Sequence, residues 1–110
     1  MPFLFERMDG VWREGVGGVD LPEPPSSYAK GRIYGCIFDD AHALRSRDEI
    51  GVEHLLFESD YPHANGTWPD TRNVAYRLCQ DDGMDAAESA RLVRQNAIEC
   101  YGLERFGLAA

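Results

Sequence analysis

Residues 52–63 read VEHLLFESDYPH, a short apolar run followed at once by a cluster of reactive side chains. The apolar run at 55–57 has no polar alternation, which predicts a strand buried on both faces in a parallel sheet. The cluster at 58–63 then lies on the loop at the carboxyl end of that strand, where active sites assemble in parallel α/β architectures. The sequence therefore places its candidate chemistry on Asp60 and His63.

Asp60 and His63 suit a metal-dependent or acid–base site. A carboxylate can bind a divalent metal or act as a general base, and an imidazole three residues later can share the same site. The alternative is structural: Asp60 caps a turn, since Asp-x-Pro turns are common on surfaces, and His63 is a solvated loop residue. Spacing alone gives the two interpretations equal weight.

Four other residues are weaker candidates. Asp39 and Asp40 end an earlier apolar run and could face the same pocket, although capping of the next helix by Asp40 is the simpler interpretation. Trp68 either covers the pocket mouth or packs at the start of a helix. Cys36 lies inside a predicted strand without a neighbouring base, which favours a core residue over a nucleophile.

The order of the predicted elements indicates a parallel α/β arrangement. The run IYGCIF at 33–38 predicts a first buried strand, residues 41–50 predict a helix that Gly51 stops, and residues 52–58 predict the second strand. Strand, helix and strand make one parallel unit. Because fully apolar strands need further strands beside them and helices on both faces, we expect the chain to be part of a larger domain.

The remaining segments predict helices and one extended connector. An amphipathic pattern predicts a helix over residues 2–14, stopped by glycines at 15, 17 and 18, and the prolines at 22, 24 and 25 predict an extended segment. Thr67 followed by Trp68-Pro69-Asp70 predicts one helix start. The pattern at 85–88 predicts a capping box that opens a last helix, which runs to Tyr101 and ends at Gly102. Within it, Asn96 is expected to support local hydrogen bonding at the helix end.

Composition excludes several classes of protein. Eleven basic and nineteen acidic side chains give a formal charge of -8, so the average surface repels phosphate backbones and nucleic acid is not an expected partner. No apolar stretch approaches the ~20 residues of a membrane span, and the start lacks signal-peptide features, which predicts a cytoplasmic protein without a membrane partner. The three cysteines contain no C-x-x-C pair and are expected to be reduced and mostly buried.

Several motifs together resemble a known family. The chain is similar to the closing stretch of the amidohydrolase-related family that includes aminocarboxymuconate-semialdehyde decarboxylase, and the resemblance covers residues 3–103. Each motif is weak alone, but their order and spacing are specific. In chain order they are Arg7-Met8-Asp9 with Trp12, Pro25-Ser26 with Tyr28, Arg47-Asp48-Glu49-Ile50-Gly51, Glu58-Ser59-Asp60-Tyr61-Pro62-His63, Gly66-Thr67-Trp68-Pro69, and Asn96-Ala97 before Tyr101-Gly102-Leu103.

The resemblance implies a distorted (β/α)8 barrel, of which residues 1–110 are the C-terminal portion with the last two parallel strands and the closing helices. It implies that Asp60 stands at the end of the last strand and binds or approaches a catalytic divalent metal, usually zinc. Such a metal lowers the pKa of its bound water to about 7. His63 would assist Asp60, close to the metal or facing the substrate.

The chain departs from the family in its histidines. The family's His-x-His pair and its further histidines have no counterpart among His42, His54 and His63, and we expect those ligands to lie before Met1. A catalytic zinc normally needs three protein ligands, and a whole barrel takes about 250 residues. The isolated chain is therefore expected to start within a domain, to hold no stoichiometric zinc and to be inactive.

The function expected from the resemblance is that of a metal-dependent hydrolase or decarboxylase acting on a small organic acid or amide. One carboxylate and one turn do not separate hydrolysis from decarboxylation. The alternative is a catalytically inactive truncated product or an assembly module that pairs with another chain. Exposed apolar strand edges favour self-association, or pairing with a missing N-terminal part, on either account.

Overall fold

The computed structural model of the protein describes residues 1–18 and 20–109. They form two compact units, Met1–Ile33 and Tyr34–Ala110. The first unit begins with helix α1 (Pro2–Arg13), which ends before Gly15, where φ is +66°. Glycine adopts this left-handed conformation without steric cost, so the prediction of a helix stopped by glycines is confirmed. Every residue of α1 is described and none is buried, so Leu4 and Met8 on its apolar stripe stay about half exposed.

Side-chain hydrogen bonds hold the segment that follows α1. The indole of Trp12 donates to the carbonyl oxygen of Leu21 at 2.9 Å. The carboxylate of Asp9 accepts the backbone N–H of Ser26 at 2.9 Å and its hydroxyl at 2.7 Å. The extended connector is shorter than predicted, because the last proline starts a short helix, α2 (Pro25–Ala29). Proline is well suited to the first helical position, where its missing N–H would have no partner.

The second unit contains a two-stranded parallel sheet, β1 (Gly35–Ile37) and β2 (Leu55–Phe57). In its register Gly35 pairs with Leu55 and Ile37 with Phe57. The predicted parallel strand–helix–strand order is confirmed, but both strands are shorter than the ranges 33–38 and 52–58. A 3-10 turn (Val52–His54) takes up the start of the second range.

The connection between the strands is a broken helix, α3 (Ala41–Arg45) and α4 (Arg47–Ile50). Asp40 occupies the N-cap position of α3, as predicted. Its carboxylate, however, accepts the backbone N–H of Phe38 at 3.3 Å and makes no cap hydrogen bond to the helix. Gly51 follows α4 with a φ of +88°, which confirms the predicted stop.

The chain after β2 is mostly helical. Its elements are α5 (Thr71–Asp81), α6 (Ala86–Ala90), a π-helical turn (Arg91–Gln95), α7 (Asn96–Tyr101) and a 3-10 turn (Leu103–Phe106). None of the helices in the described ranges has the length and apolar character needed to cross a membrane.

The predictions of where these helices begin and end are confirmed in part. The capping box is confirmed: Asp85 accepts the N–H groups of Ala87 and Glu88, and the Glu88 carboxylate accepts the N–H of Asp85 at 3.1 Å. The helix predicted to start at Thr67 begins at Thr71 instead. Thr67 donates its backbone N–H to the carbonyl oxygen of Ser59 in the preceding loop. Gly102 ends α7 in the left-handed conformation, as predicted.

One hydrophobic cluster forms the core of the second unit. Leu44 of α3, Leu55 of β2 and Leu92 of the π-helical turn are each at most 1% exposed. Burial of a leucine contributes about 1.5 to 3 kcal/mol, so these contacts hold the helices against one face of the sheet. The other buried members of the cluster are Ile37, Leu78, Cys79 and Met84.

Cys36 corrects the prediction that β1 is buried on both faces. It lies in the middle of the strand and is exposed, whereas the next residue, Ile37, is 4% exposed. Successive side chains of a strand point to opposite faces, so Cys36 lies on the face opposite to Ile37, and it is exposed although its register partner on the same face, Leu56, is 5% exposed. Cys36 is therefore not a core residue. All three cysteines are free thiols, as predicted, but the prediction that they are mostly buried is wrong: Cys79 is buried, Cys100 is partly exposed and Cys36 is exposed.

Candidate active site

Asp60 lies on the loop just beyond the carboxyl end of β2. The N–H of Glu58 donates to the carbonyl oxygen of Ile37 at 2.9 Å, which extends the parallel pairing one residue past the strand. Asp60 follows two residues later with a φ of +55°, the one positive φ of a non-glycine residue in the described ranges. Its side chain is 28% exposed. The sequence-predicted carboxylate thus stands at the edge of the sheet where active sites of parallel folds assemble.

His63 is in direct contact with Asp60. Its Nδ1 lies 2.8 Å from Oδ1 of Asp60, and its backbone N–H donates to the Asp60 carbonyl oxygen at 2.9 Å. The hydrogen bond to the carboxylate, reinforced by the negative charge, raises the pKa of His63 above its ordinary value. The imidazole is 72% exposed. The structure therefore brings the two sequence-predicted site residues together as a solvent-accessible acid–base pair.

A closed loop carries this pair. The N–H of Thr67 donates to the carbonyl oxygen of Ser59 at 2.9 Å, and its hydroxyl reaches the same oxygen at 3.3 Å. Gly66 donates its N–H to the carbonyl oxygen of His63 at 3.1 Å. The chain from Ser59 to Thr67 therefore returns to its own starting point beside the end of β2.

Two aromatic rings stand at the ends of the loop. Tyr61 and Trp68 form a T-shaped contact with 5.6 Å between ring centroids, and they are 66% and 65% exposed. The peptide bonds between each of these residues and the following proline are cis. Trp68 thus packs on a residue of the loop, an arrangement compatible with either of its two predicted positions.

The other strand-end carboxylates have partners of their own. Asp39 forms an ion pair with Arg77 at 3.1 Å, and Asp40 accepts the backbone N–H of Phe38. Burial, followed by the negative charge of Glu58, raises the pKa of the Cys36 thiol. A raised pKa disfavours the reactive thiolate, in agreement with the interpretation that Cys36 is not a nucleophile.

The residues at this site do not complete a metal centre by themselves. Across 1–18 and 20–109, no three side chains among His, Cys, Asp and Glu lie together so that they could hold a metal ion. Asp60 and His63 are both suitable ligand types, but a catalytic zinc normally has three protein ligands. A metal at Asp60 would therefore need ligands from further polypeptide.

Asn96 is the residue whose importance the sequence did not reveal. It is 0% exposed, and its side-chain NH₂ donates to the carbonyl oxygens of Val52 at 2.7 Å and Leu55 at 2.8 Å. Its Oδ1 accepts from Arg91 at 3.3 Å. The expectation of a local helix-end role is therefore wrong, since Asn96 ties α7 to the start of β2. The available signal was an amide side chain four residues after Leu92 and four before Cys100, on the apolar face of the helix, where such a group needs buried partners.

Comparison with known proteins identifies the family of the chain. The family model described as Amidohydrolase matches residues 4–103. The chain belongs to the amidohydrolase family, whose fold is a TIM barrel and whose members typically bind a divalent metal. No curated protein matches the chain. In the described residues the second unit contains two parallel strands in a small α/β arrangement.

Proposed function

We propose that this chain is the C-terminal part of a metal-dependent hydrolase or decarboxylase that acts on a small organic acid or amide. Within the amidohydrolase family it belongs to the branch that includes aminocarboxymuconate-semialdehyde decarboxylase. Asp60 is the metal-site carboxylate, His63 assists it, and the metal of the complete enzyme is zinc. The observation that carries the proposal is the position of Asp60, at the carboxyl end of a parallel strand and in contact with an imidazole.

The Asp60–His63 pair is suited to holding and moving a proton. One carboxylate oxygen of Asp60, Oδ1, contacts Nδ1 of His63. Because the pKa of His63 is raised, the imidazole keeps its proton further toward neutral pH. A group of this kind can accept a proton from a bound molecule and return it near neutral pH, which both hydrolysis and decarboxylation require.

The catalytic site is completed by pairing with further strands. Each of the two described strands has one hydrogen-bonded neighbour, which leaves each strand with a second edge and supports association with further strands along those edges. The partner is the N-terminal part of a barrel, which carries the missing histidines, or a second copy of the chain. The same open sheet supports the alternative function, a catalytically inactive module for assembly with another chain.

Metal binding after co-expression tests these functions. The chain is expressed alone and together with the first six barrel strands of a family member that carries the His-x-His pair. Elemental analysis is expected to find less than stoichiometric zinc in the chain alone and one zinc per complex. Asp60→Asn is expected to lower the zinc affinity of the complex by about tenfold or more, whereas Asp39→Asn, a strand-end carboxylate paired with Arg77, preserves it.

Two outcomes would count against the proposal. Equal zinc affinity in Asp60→Asn and Asp39→Asn would exclude Asp60 as the metal-site carboxylate. Association of the two polypeptides without any metal would favour the assembly module.

A further inference from the structure

Gly66 lies against the backbone at the end of β2. A Cβ atom added at Gly66 would stand 2.7 Å from the carbonyl oxygen of Ser59 and 2.9 Å from that of Asp60. Both contacts are closer than carbon and oxygen atoms tolerate, and both oxygens belong to the main chain, which cannot rotate away as a flexible side chain would. Any side chain at Gly66 therefore forces the loop away from the strand.

The contact at Gly66 is part of the same set of hydrogen bonds that closes the loop. Thr67, its neighbour, donates to the carbonyl oxygen of Ser59, and Gly66 itself donates to that of His63. His63 in turn donates its backbone N–H to Asp60. The absent side chain of Gly66 thus allows the two ends of the loop to approach closely enough for all three bonds to form.

The loop also holds Asp60 in an unusual conformation. A φ of +55° is uncommon for residues other than glycine, although aspartate adopts it more readily than most. This conformation directs the chain so that Nδ1 of His63 meets Oδ1 of Asp60 three residues earlier. We infer that Gly66 is a positioning residue for the Asp60–His63 pair, an inference that rests on the proposed role of Asp60 for its functional meaning.

Gly66→Ala in the full chain tests this inference, with Gly10→Ala as the matched control. A Cβ at Gly10 would meet no atom within 4 Å. In Gly66→Ala we expect amide hydrogen exchange at Thr67 and His63 to rise by about tenfold, because their bonds to Ser59 and Asp60 open. We also expect the ring-nitrogen NMR signals of His63, at fixed pH, to move toward their positions in Asp60→Asn, which lacks the carboxyl group that contacts Nδ1. A merely structural role of Gly66 would leave those ring signals unchanged.

If Gly66→Ala does not fold, a second pair of variants tests whether closure of the loop positions the Asp60–His63 pair. Thr67→Val removes the hydroxyl that reaches the Ser59 carbonyl oxygen and the Thr71 hydroxyl and retains the backbone N–H, whereas Thr67→Ser retains both groups. Faster exchange at His63 and shifted ring signals in Thr67→Val, with recovery in Thr67→Ser, would support the inference. Exchange rates and ring signals in Gly66→Ala equal to those in Gly10→Ala, or equal in the two Thr67 variants, would overturn it.

The metal measurement separates this inference from the proposed function. In the co-expressed complex, Gly66→Ala is expected to lower zinc affinity by about 10- to 100-fold, as loss of outer contacts to a ligand does. If Asp60→Asn leaves zinc affinity unchanged, the proposed function fails, and the NMR result on the Asp60–His63 pair still decides the role of Gly66.

Discussion

The side-chain amide of Asn96 donates to the main-chain carbonyl oxygen of Leu55 at 2.8 Å, across 41 residues of sequence. The same NH₂ group also reaches the carbonyl oxygen of Val52, and Asn96 is completely buried. These bonds fasten α7 to the beginning of the strand that leads to Asp60. A buried amide in this position stabilises the fold mainly because its loss would leave main-chain oxygens without partners.

Asn96→Ala is expected to lower the free energy of unfolding by about 2 to 4 kcal/mol, since it leaves two carbonyl oxygens unsatisfied and opens a cavity. Urea denaturation of the full chain measures this change. Asn65→Ala, at an exposed position in the loop after β2, is the control and is expected to change stability by less than about 0.5 kcal/mol. Similar losses in the two variants would contradict a special role for Asn96.

The titration of His63 is expected to depend on Asp60. Hydrogen bonding to the carboxylate raises the pKa of His63, so the pair contributes stability below the pKa of the unfolded chain and loses it as pH rises through the folded pKa. Asp60→Asn is expected to lower the pKa of His63 toward its ordinary value, and Asp39→Asn is expected to leave it in place. NMR titration of the imidazole signals gives both midpoints. An unchanged midpoint in Asp60→Asn would show that the contact does not form in solution.

In the first unit, the pKa of Asp9 is shifted in the opposite direction to that of His63. The Ser26 hydroxyl, followed by the Ser26 backbone N–H, lowers the pKa of the Asp9 carboxyl below its ordinary value. Its contribution to stability is therefore present above the pKa of the unfolded chain and lost as pH falls through the lower folded pKa. Ser26→Ala is expected to raise the pKa of Asp9, measured from carboxyl-carbon NMR shifts. Ser27→Ala removes a hydroxyl that donates to Pro24 and is expected to leave the Asp9 midpoint unchanged.

Substitutions at two adjacent residues of the π-helical turn test which of its side chains pack in the hydrophobic core. Leu92 is 1% exposed and belongs to the hydrophobic cluster, whereas Val93 is 48% exposed. Leu92→Ala is expected to cost about 2 to 5 kcal/mol of unfolding free energy, and Val93→Ala about 0.5 kcal/mol or less. Thermal and urea unfolding of the two variants compare them directly. A larger loss for Val93→Ala would mean that the helix faces are assigned incorrectly.

Much of the fold followed from local sequence. Local residue patterns predicted three features: the helix of the first unit, the two strands of the parallel pair and the capping box at Asp85. The pattern of each helix, strand or cap involves residues that are close together in the chain. The strand ends and the short helix at Pro25 were not predicted, because their limits depend on which backbone groups find partners in space. The burial of Cys36 was predicted wrongly for a similar reason, because an apolar run does not show which of its side chains remain exposed.

The sequence predicted that Asp60 and His63 lie on one loop after the second strand, but it did not predict how that loop is built. Asp60 and His63 were identified from their position after an apolar run, and the structure brings them into contact. The left-handed φ of Asp60 and the close approach of Gly66 could not be read from the sequence, since both depend on a loop that folds back on itself. Asn96 was underestimated because its partners are more than forty residues away.

The π-helical turn at Arg91–Gln95 makes the last helix sensitive to its length. A turn of this kind accommodates one residue more than a regular α-helix, and each residue of an α-helix rotates the chain by about 100°. Because the turn already holds that extra residue, a further insertion there would rotate α7 by about 100° relative to α6 and move the Asn96 amide away from the strand that it holds. Insertions in this stretch are therefore expected to be tolerated far less well than changes of residue type on its exposed side.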